Sequence, residues 1–292
     1  MAAAANTGGG KSVLPKTLHL SQEDYEIIRR LVKQKTGINL GLHKRDLVVS
    51  RLAKRLREMN LDSFSEYVRF LQDESGDVEM INMINLITTN KTDFFRENHH
   101  FEFLADTVLP EIYQRGEASG QRVLRCWSAG CSSGEEPYSI AITISEFFKK
   151  KPGWTAKILA SDLDTTVLTK ARDGIYEAYQ VEPIPRNLLT RYFDRRPHNG
   201  EVFYEVKPVL KRMITYRKFN LMAPRYPLKV KLDFIFCRNV LIYFDNNDKR
   251  NIVSKFHAVL RPEGFLFIGH SESLMMAKDL YKSVGTTVYR RI

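Results

Sequence analysis

The sequence predicts an α/β fold: a parallel sheet behind an all-helical segment, with a small antiparallel insertion. Three observations lead there. Residues 18–88 carry helix signals without strand signals. From Val123 onward, short apolar runs alternate with helical patterns, the mark of a parallel sheet covered on both faces. Residues 174–220 break the alternation with exposed segments of period two.

The helical segment comes first. "SQEDYEIIRRLVKQKTG" opens on Ser21 as N-cap, has Asp24 three residues later and stops at Gly37. "HKRDLVVSRLAKRLREM" is the second helix. "SFSEYVRFLQD" is the third, with Ser63 and Glu66 spaced as a capping box. "DVEMINMINLITT" closes the set. Residues 1–17 open on a run of small residues and read as a disordered tail, and 89–98 read as a linker.

In the second part, residues 99–292, "VLRCW" is a strand, "SAGCSSGEE" a turn, and "PYSIAITISEFFKK" a helix that tolerates Pro137 in its first turn. "KILASDLD" is the next strand and "TTVLTKAR" the next helix. "LDFIFCRN" is a strand, "DNNDKR" a polar turn, "NIVSKFHAVL" a helix, "RPEG" a turn and "FLFIG" a strand. "EVFYEV" and "MITYRKF" alternate as exposed antiparallel strands would, which sets the insertion at about 174–220.

Composition narrows the function classes. The chain has 292 residues, 43% hydrophobic and 27% charged, an ordinary balance for a globular protein with room for two domains. Nothing approaches the roughly 18 uncharged apolar residues of a membrane span, so no membrane insertion is expected. The three cysteines have neither zinc nor redox spacing and fit a reducing cytoplasm. His99 and His100 are adjacent, about 100° apart on a helix, so no shared metal is expected. The net charge of +11 permits nucleic acid, anionic lipid or an acidic protein as partner.

Ligands in open α/β sheets bind beyond the carboxyl ends of the strands. Arg238 and Asn239 interrupt the apolar run "FIFCRNVLIYF" at such an end. A buried arginine needs a ligand, a carboxylate or water, so a structural salt bridge with an amide cap would equally account for it. "SAGCSSGEEPYS" lacks the G-x-G-x-x-G spacing of dinucleotide binders. It offers close backbone approach at Gly130 and Gly134, then the acids Glu135 and Glu136. These acids suit the helix dipole, would repel phosphate and would accept a cationic ligand. Asp162 ends the second strand, where an acid commonly holds ribose hydroxyls, and Asp164 is placed to cap the following helix. A positively charged nucleoside such as S-adenosylmethionine matches this set.

"NKTDFFRE", "SAGCSSGEEPYSIAI", "ASDLDTTVLTKARDGIY", "DFIFCRNVLIYFD" and "RPEGFLFIGHSES", in that order, resemble the bacterial chemotaxis receptor glutamate O-methyltransferases of CheR type. The likeness runs from about residue 20 to the C-terminus. It implies a Rossmann-like S-adenosylmethionine methyltransferase sheet, a small antiparallel β subdomain and an all-α N-terminal domain. It implies S-adenosyl-L-methionine as cofactor and S-adenosyl-L-homocysteine as product. The partner implied is a methyl-accepting chemoreceptor cytoplasmic domain, with no nucleic acid.

By position, the resemblance places Asn90, Thr92, Arg96, Glu136, Asp162, Asn220, Leu221, Arg238 and Asn239 on the cofactor. Arg96 and Tyr243 would stand beside the reacting methyl. Lys44, Arg51, Lys54 and Arg55 share a basic face of the second helix, with Arg57 further round; the family docks receptors with this helix. Two other classes compete. A nucleic-acid methyltransferase would need a stacking, proline-rich turn after the fourth strand, and "RNVLIY" has none. A non-catalytic cofactor-sensing, receptor-docking protein could dispense with Arg96 or Tyr243, yet both are present.

Overall fold

The structure is a computed structural model that describes residues 18–73, 76–88 and 90–292; the tail expected at 1–17 lies outside them. The described chain forms two compact units. One comprises the chain through Leu31 with Leu40–Ile87, and the other Val32–Asn39 with Thr88–Ile292.

The first unit is helical: α1 (Gln22–Thr36, entering the second unit at its end), α2 (Arg45–Glu58), α3 (Phe64–Gln72) and α4 (Asp77–Ile87). Ser21 Oγ accepts from the Asp24 N–H at 3.0 Å, as the cap spacing predicts. The expected capping box at α3 is only half formed. Ser63 Oγ accepts from the Glu66 N–H at 3.2 Å, but the Glu66 carboxylate takes the N–H of Asp62, one residue further out. Tyr25, Ile28, Val48, Leu52, Leu56, Phe64, Tyr67 and Met83 form the dry interior. Their helical spacing gives each helix one apolar stripe to bury.

Glu79 is an acid inside this core. Glu79, 4% exposed, receives Arg55 through Nε and Nη2 at 2.9 and 2.6 Å, Tyr67 Oη at 2.9 Å and Asn82 Nδ2 at 3.0 Å. Burial works to raise its pKa; those hydrogen bonds and the guanidinium outweigh it and leave the carboxyl below its usual range.

In the second unit, α5 (His99–Phe103), a π-helical turn (Leu104–Val108) and α6 (Leu109–Ser119) lead to β1 (Val123–Ala129). Then come α7 (Glu135–Phe148), β2 (Thr155–Asp162), α8 (Thr165–Asp173), β3 (Ile175–Glu177), α9 (Arg186–Tyr192), β4 (Phe193–His198) and β5 (Glu201–Val206). The chain finishes with α10 (Pro208–Lys211), β6 (Ile214–Lys218), β7 (Leu232–Cys237), α11 (Asn246–Val259), β8 (Leu260–Ile268), β9 (Tyr281–Gly285) and β10 (Val288–Arg291).

Seven strands pair in the order β6-β2-β1-β7-β8-β10-β9, and β3-β5-β4 make a separate antiparallel sheet. β6, β2, β1, β7 and β8 are parallel, and β10 is antiparallel to both β8 and β9. Strand order therefore reverses between β1 and β7, the position where such sheets open a ligand crevice. All six residues of β7 are buried. Phe234 and Phe236 join the core of one face, Ile235 and Cys237 that of the other, as the two-residue pleat requires.

Three local expectations are corrected. "MITYRKF" is not part of the antiparallel insertion: Ile214–Lys218 form β6, parallel to β2 with Ile158 opposite Ile214. Ile214 and Tyr216 turn inward while Thr215 is exposed, so half-burial at a parallel edge mimics the alternation of an antiparallel strand. "DNNDKR" is the start of α11 rather than a free turn, because Asp245 Oδ1 accepts the Asp248 N–H at 3.0 Å. "RPEG" lies within β8, where the pairing with β7 shifts register.

Candidate active site

The carboxyl ends of β1, β2 and β7 and the stretch Asn90–Glu97 supply the candidate residues. The turn after β1 is shaped by glycine. Gly130 has φ +85°, and a Cβ there would stand 2.4 Å from Val240 Cγ2. The Gly130 and Cys131 N–H groups donate to the Ser161 carbonyl at 2.8 and 2.9 Å, which ties this turn to the end of β2.

The two acids that open α7 point to different partners. Glu135 is buried, accepts from Ser133 Oγ at 2.8 Å and faces Gln180 Nε2 at 3.4 Å; burial pushes its carboxyl up to about 7. Glu136 turns to the rim. It accepts from Ser128 Oγ at 2.7 Å and lies 3.5 Å from Arg238 Nε. Burial raises the Glu136 pKa, with Arg238 opposing.

Asp162 is half-buried at the end of β2. Its Oδ2 accepts the Ser132 N–H at 2.9 Å and its Oδ1 the Asp164 N–H at 3.0 Å. Each oxygen keeps a further acceptor site, so the carboxylate is held in place without being used up. Asp164 caps α8 through the Thr166 and Val167 N–H groups, the role its position predicts. Asn90 Nδ2 donates to Asp164 Oδ2 at 2.8 Å, and the Asn90 carbonyl accepts from Ser132 Oγ at 2.9 Å. Thr92 is half-buried on the same stretch. Asn220 is engaged in its own turn, with Oδ1 on the Met222 N–H and Nδ2 on the Lys35 carbonyl; Leu221 beside it is buried.

Arg238 is the centre of charge. Its side chain is 2% exposed, its Nη2 donates to the Arg96 carbonyl at 2.5 Å, and its Nε lies 4.0 Å from Glu97 Oε2. Its guanidinium faces the rings of Phe101 and Phe236 at 5.5 and 5.8 Å. The bare salt bridge considered from the sequence is thus present, with two carboxylates rather than one. Arg96 Nη1 donates to the Lys91 carbonyl at 2.9 Å. Tyr243 is half-buried in a short 3-10 turn, Leu241–Tyr243, and packs on the β7 core.

Sequence reasoning missed Glu97, His270 and Glu272. Glu97 accepts from His270 Nδ1 at 2.9 Å and faces Asn239 Nδ2 at 3.4 Å. Burial acts to raise the Glu97 pKa, but His270 and Arg238 together lower it. A signal existed: "GHSES" follows the strand run "FLFIG", where this fold places ligand-side residues. The backbone around these groups is strained, since Phe95, Glu97, Ser132 and Asn239 have φ of +54°, +55°, +48° and +58°. Such left-handed conformations cost about 1–3 kcal/mol each and persist where the surroundings over-determine them.

The two histidines do not diverge as helical spacing predicts. Their ring centroids are 4.1 Å apart, and Glu97, His99 and His100 bring ligand atoms within 4.8 Å of one another. The Arg238 guanidinium beside Glu97 opposes a cation there. Burial, with Arg238, holds the His100 imidazole down to about 3. On α2, Arg55 is committed to Glu79 and Arg51 Nη1 donates to the Leu86 carbonyl at 3.0 Å. Arg55 thus serves as the counterion of a buried acid within the helical unit. Lys44 is half-buried, and burial lowers its pKa. Lys54 and Arg57 are the exposed members of the basic set.

A parallel sheet that reverses order at β1/β7, closed by an antiparallel pair and rimmed by Glu136, Asp162 and Arg238, defines a Rossmann-like methyltransferase class. Comparison with known proteins makes this specific. Residues 90–290 match the family "CheR methyltransferase, SAM binding domain", and residues 23–88 match "CheR methyltransferase, all-alpha domain". Chemotaxis protein methyltransferase 2 of Pseudomonas aeruginosa is 42% identical over 273 residues, covering 93% of this chain and 94% of its own length. The chemotaxis protein methyltransferase of Escherichia coli is 41% identical over 279 residues, covering 94% and 93%. That of Borreliella burgdorferi is 38% identical over 264 residues, covering 90% and 92%. The chain belongs to the CheR methyltransferase family, and S-adenosylmethionine is its cofactor.

The residues fit that cofactor. Arg238 Nε and Nη1 and Glu97 Oε2 are buried without a hydrogen-bond partner among the described residues. Native structures seldom leave such groups unsatisfied unless a ligand, ion or water completes them. Donors at Arg238, together with acceptors at Glu136 and Asp162, suit a molecule that carries an amino-acid end and a ribose.

Proposed function

We propose that this enzyme transfers the methyl group of S-adenosylmethionine to glutamate side-chain carboxylates of chemoreceptor cytoplasmic domains, in the cytoplasm, giving glutamyl methyl esters. The observation that carries the reading is Arg238, buried between Glu136 and Glu97 with unmet donors at a rim matched along its length to CheR enzymes. Asp162 would hold the ribose, Glu136 and Arg238 the amino-acid end, and Asn220 with Leu221 the adenine. Asn90, Thr92 and Asn239 complete the wall.

Bound S-adenosylmethionine supplies an electrophilic methyl on a sulfonium centre. The rest falls to the chain. A glutamate carboxyl with pKa near 4.3 is already ionised at neutral pH, so no general base is required. What remains is orientation and the exclusion of water, and approximation of two reactants can contribute about 7–11 kcal/mol. Arg96 uses one of its five donors on Lys91 and can present a fork to the incoming carboxylate. The Tyr243 phenol adds one donor. Both contacts must stay moderate, because the negative charge disappears in the ester and over-stabilising the ground state slows transfer.

Lys54 and Arg57 on α2 would meet acidic receptor helices through exposed pairs worth about 0–1 kcal/mol each, a transient, salt-sensitive docking. The test is transfer of label from methyl-labelled cofactor to receptor cytoplasmic fragments. Alkali-labile label is expected, and Tyr243→Phe should lower kcat while the Kd for S-adenosylhomocysteine holds. Alkali-stable label would overturn the ester, and equal loss of kcat and affinity would overturn the role of Tyr243.

A further inference from the structure

We infer that Glu272 is a positioning residue for methyl transfer, its carboxylate clamping the loop after β7 that carries Arg238, Asn239 and Tyr243. The inference rests on the rim being the methyl-transfer site.

The residue comes from "GHSES", to which neither the sequence nor the mechanism above gives a task. Its carboxylate collects backbone donors from two segments. Oε2 accepts the Gly269 N–H at 2.6 Å and the Asn239 N–H at 3.0 Å, and Oε1 accepts the Ile242 N–H at 3.1 Å. Asn239 and Ile242 bracket the loop: one follows Arg238 and the other precedes Tyr243. A carboxylate that accepts several N–H groups makes charge-assisted hydrogen bonds, roughly twice as strong as neutral ones. Glu272 is 8% exposed, so water does not compete for them freely.

Two further observations show that the loop needs holding. Asn239 sits at φ +58°, a conformation the chain would leave if released. The chain just after β8 also runs close against it, since a Cβ at Gly269 would lie 2.7 Å from Asn239 N and 2.5 Å from its Nδ2. Glu272 thus grips the loop from the same segment that closes on it. Among the described residues, no other side chain accepts from the Asn239 or Ile242 N–H. These bonds of Glu272 all go to main-chain N–H groups, so its effect on chemistry passes through the backbone.

The full-length chain provides the test, with Glu272→Gln and Gly269→Ala as independent perturbations. Gln keeps one acceptor oxygen and turns an amide against an N–H; Ala leaves the carboxylate intact and pushes on Asn239. Hydrogen exchange without ligand should quicken over residues 238–244 in both. With cofactor and receptor fragment, kcat should fall about a hundredfold, the scale of a displacement near 1 Å. In a Tyr243→Phe background the Glu272→Gln loss should shrink, because one of the residues it positions is already disarmed. A kcat within threefold of wild type, or losses that multiply in the double variant, overturns the inference. If Glu272→Gln does not fold, Gly269→Ala decides the matter by the same measurements. A wild-type chain that transfers no methyl would instead sink the functional reading, and exchange over 238–244 would still report the clamp.

Discussion

Arg238→Met removes the charge at the centre of the rim while keeping most of the stem. In the structure the guanidinium lies 3.5 Å from Glu136 and 4.0 Å from Glu97, and it donates to the Arg96 carbonyl. At an effective dielectric of about 20, a unit pair at 3.5 Å attracts by about 5 kcal/mol, and desolvating the arginine offsets much of that. Removing one partner of such a buried set costs about 3–5 kcal/mol, because two carboxylates then face each other without a cation. For a unit of this size that is a fall in Tm of roughly 6–20 °C. The cofactor should lose at least one charge-assisted hydrogen bond, about 1.5–3 kcal/mol, or roughly 10–150-fold in Kd.

A pH signature accompanies this loss. Burial already raises the Glu136 pKa and Arg238 opposes that, so the substitution lets it rise further. S-adenosylhomocysteine binding by the variant should therefore be stronger at the higher of two pH values, where more of Glu136 is ionised, and this pH effect should be larger than in wild type. The assay is isothermal titration calorimetry at both pH values beside a melting curve. A Kd within threefold of wild type at both, with Tm unchanged, would refute the placement of Arg238 at the heart of the site.

Glu135→Gln tests burial at the start of α7. The folded carboxyl sits at about 7 against an unfolded value near 4.3, so the folded chain holds the extra proton and stability falls as pH rises between the two. Glutamine lacks this penalty, and the Tm difference between variant and wild type should move in the variant's favour from about pH 5 to about pH 8. Arg55→Ala should destabilise the helical unit by about 3 kcal/mol in urea melts, since Glu79 is left buried without its cation. Lys54→Glu with Arg57→Glu should leave stability within about 0.5 kcal/mol and raise the KM for receptor in a salt-dependent way at unchanged kcat. Gly134→Ala combines φ +103° with a Cβ placed 2.8 Å from Tyr176 Oη and 2.9 Å from Ala171 Cβ. It should cost about 2–4 kcal/mol, whereas Gly120→Ala, with nothing within 4 Å of its Cβ, should cost about 1.

What the sequence by itself determined is what short-range physics encodes. Asp164 and Ser21 cap their helices because a side-chain oxygen two or three residues from an orphan N–H needs no distant partner. Phe234–Cys237 declare a strand buried on both faces, and the polar break at Arg238 marks its ligand-side end. The five segments that resemble the CheR enzymes, kept in their order, carried the family. What only the tertiary structure decided concerns which distant groups meet. Ile214–Lys218 look like any half-buried strand until β2 is found alongside. Arg55 is one basic residue among several on α2 until Glu79, 24 residues on, turns inward to claim it. Glu272 reaches Asn239 across 33 residues of chain. Such pairings follow from loop closure and burial summed over the whole fold, and no local window of residues holds that sum.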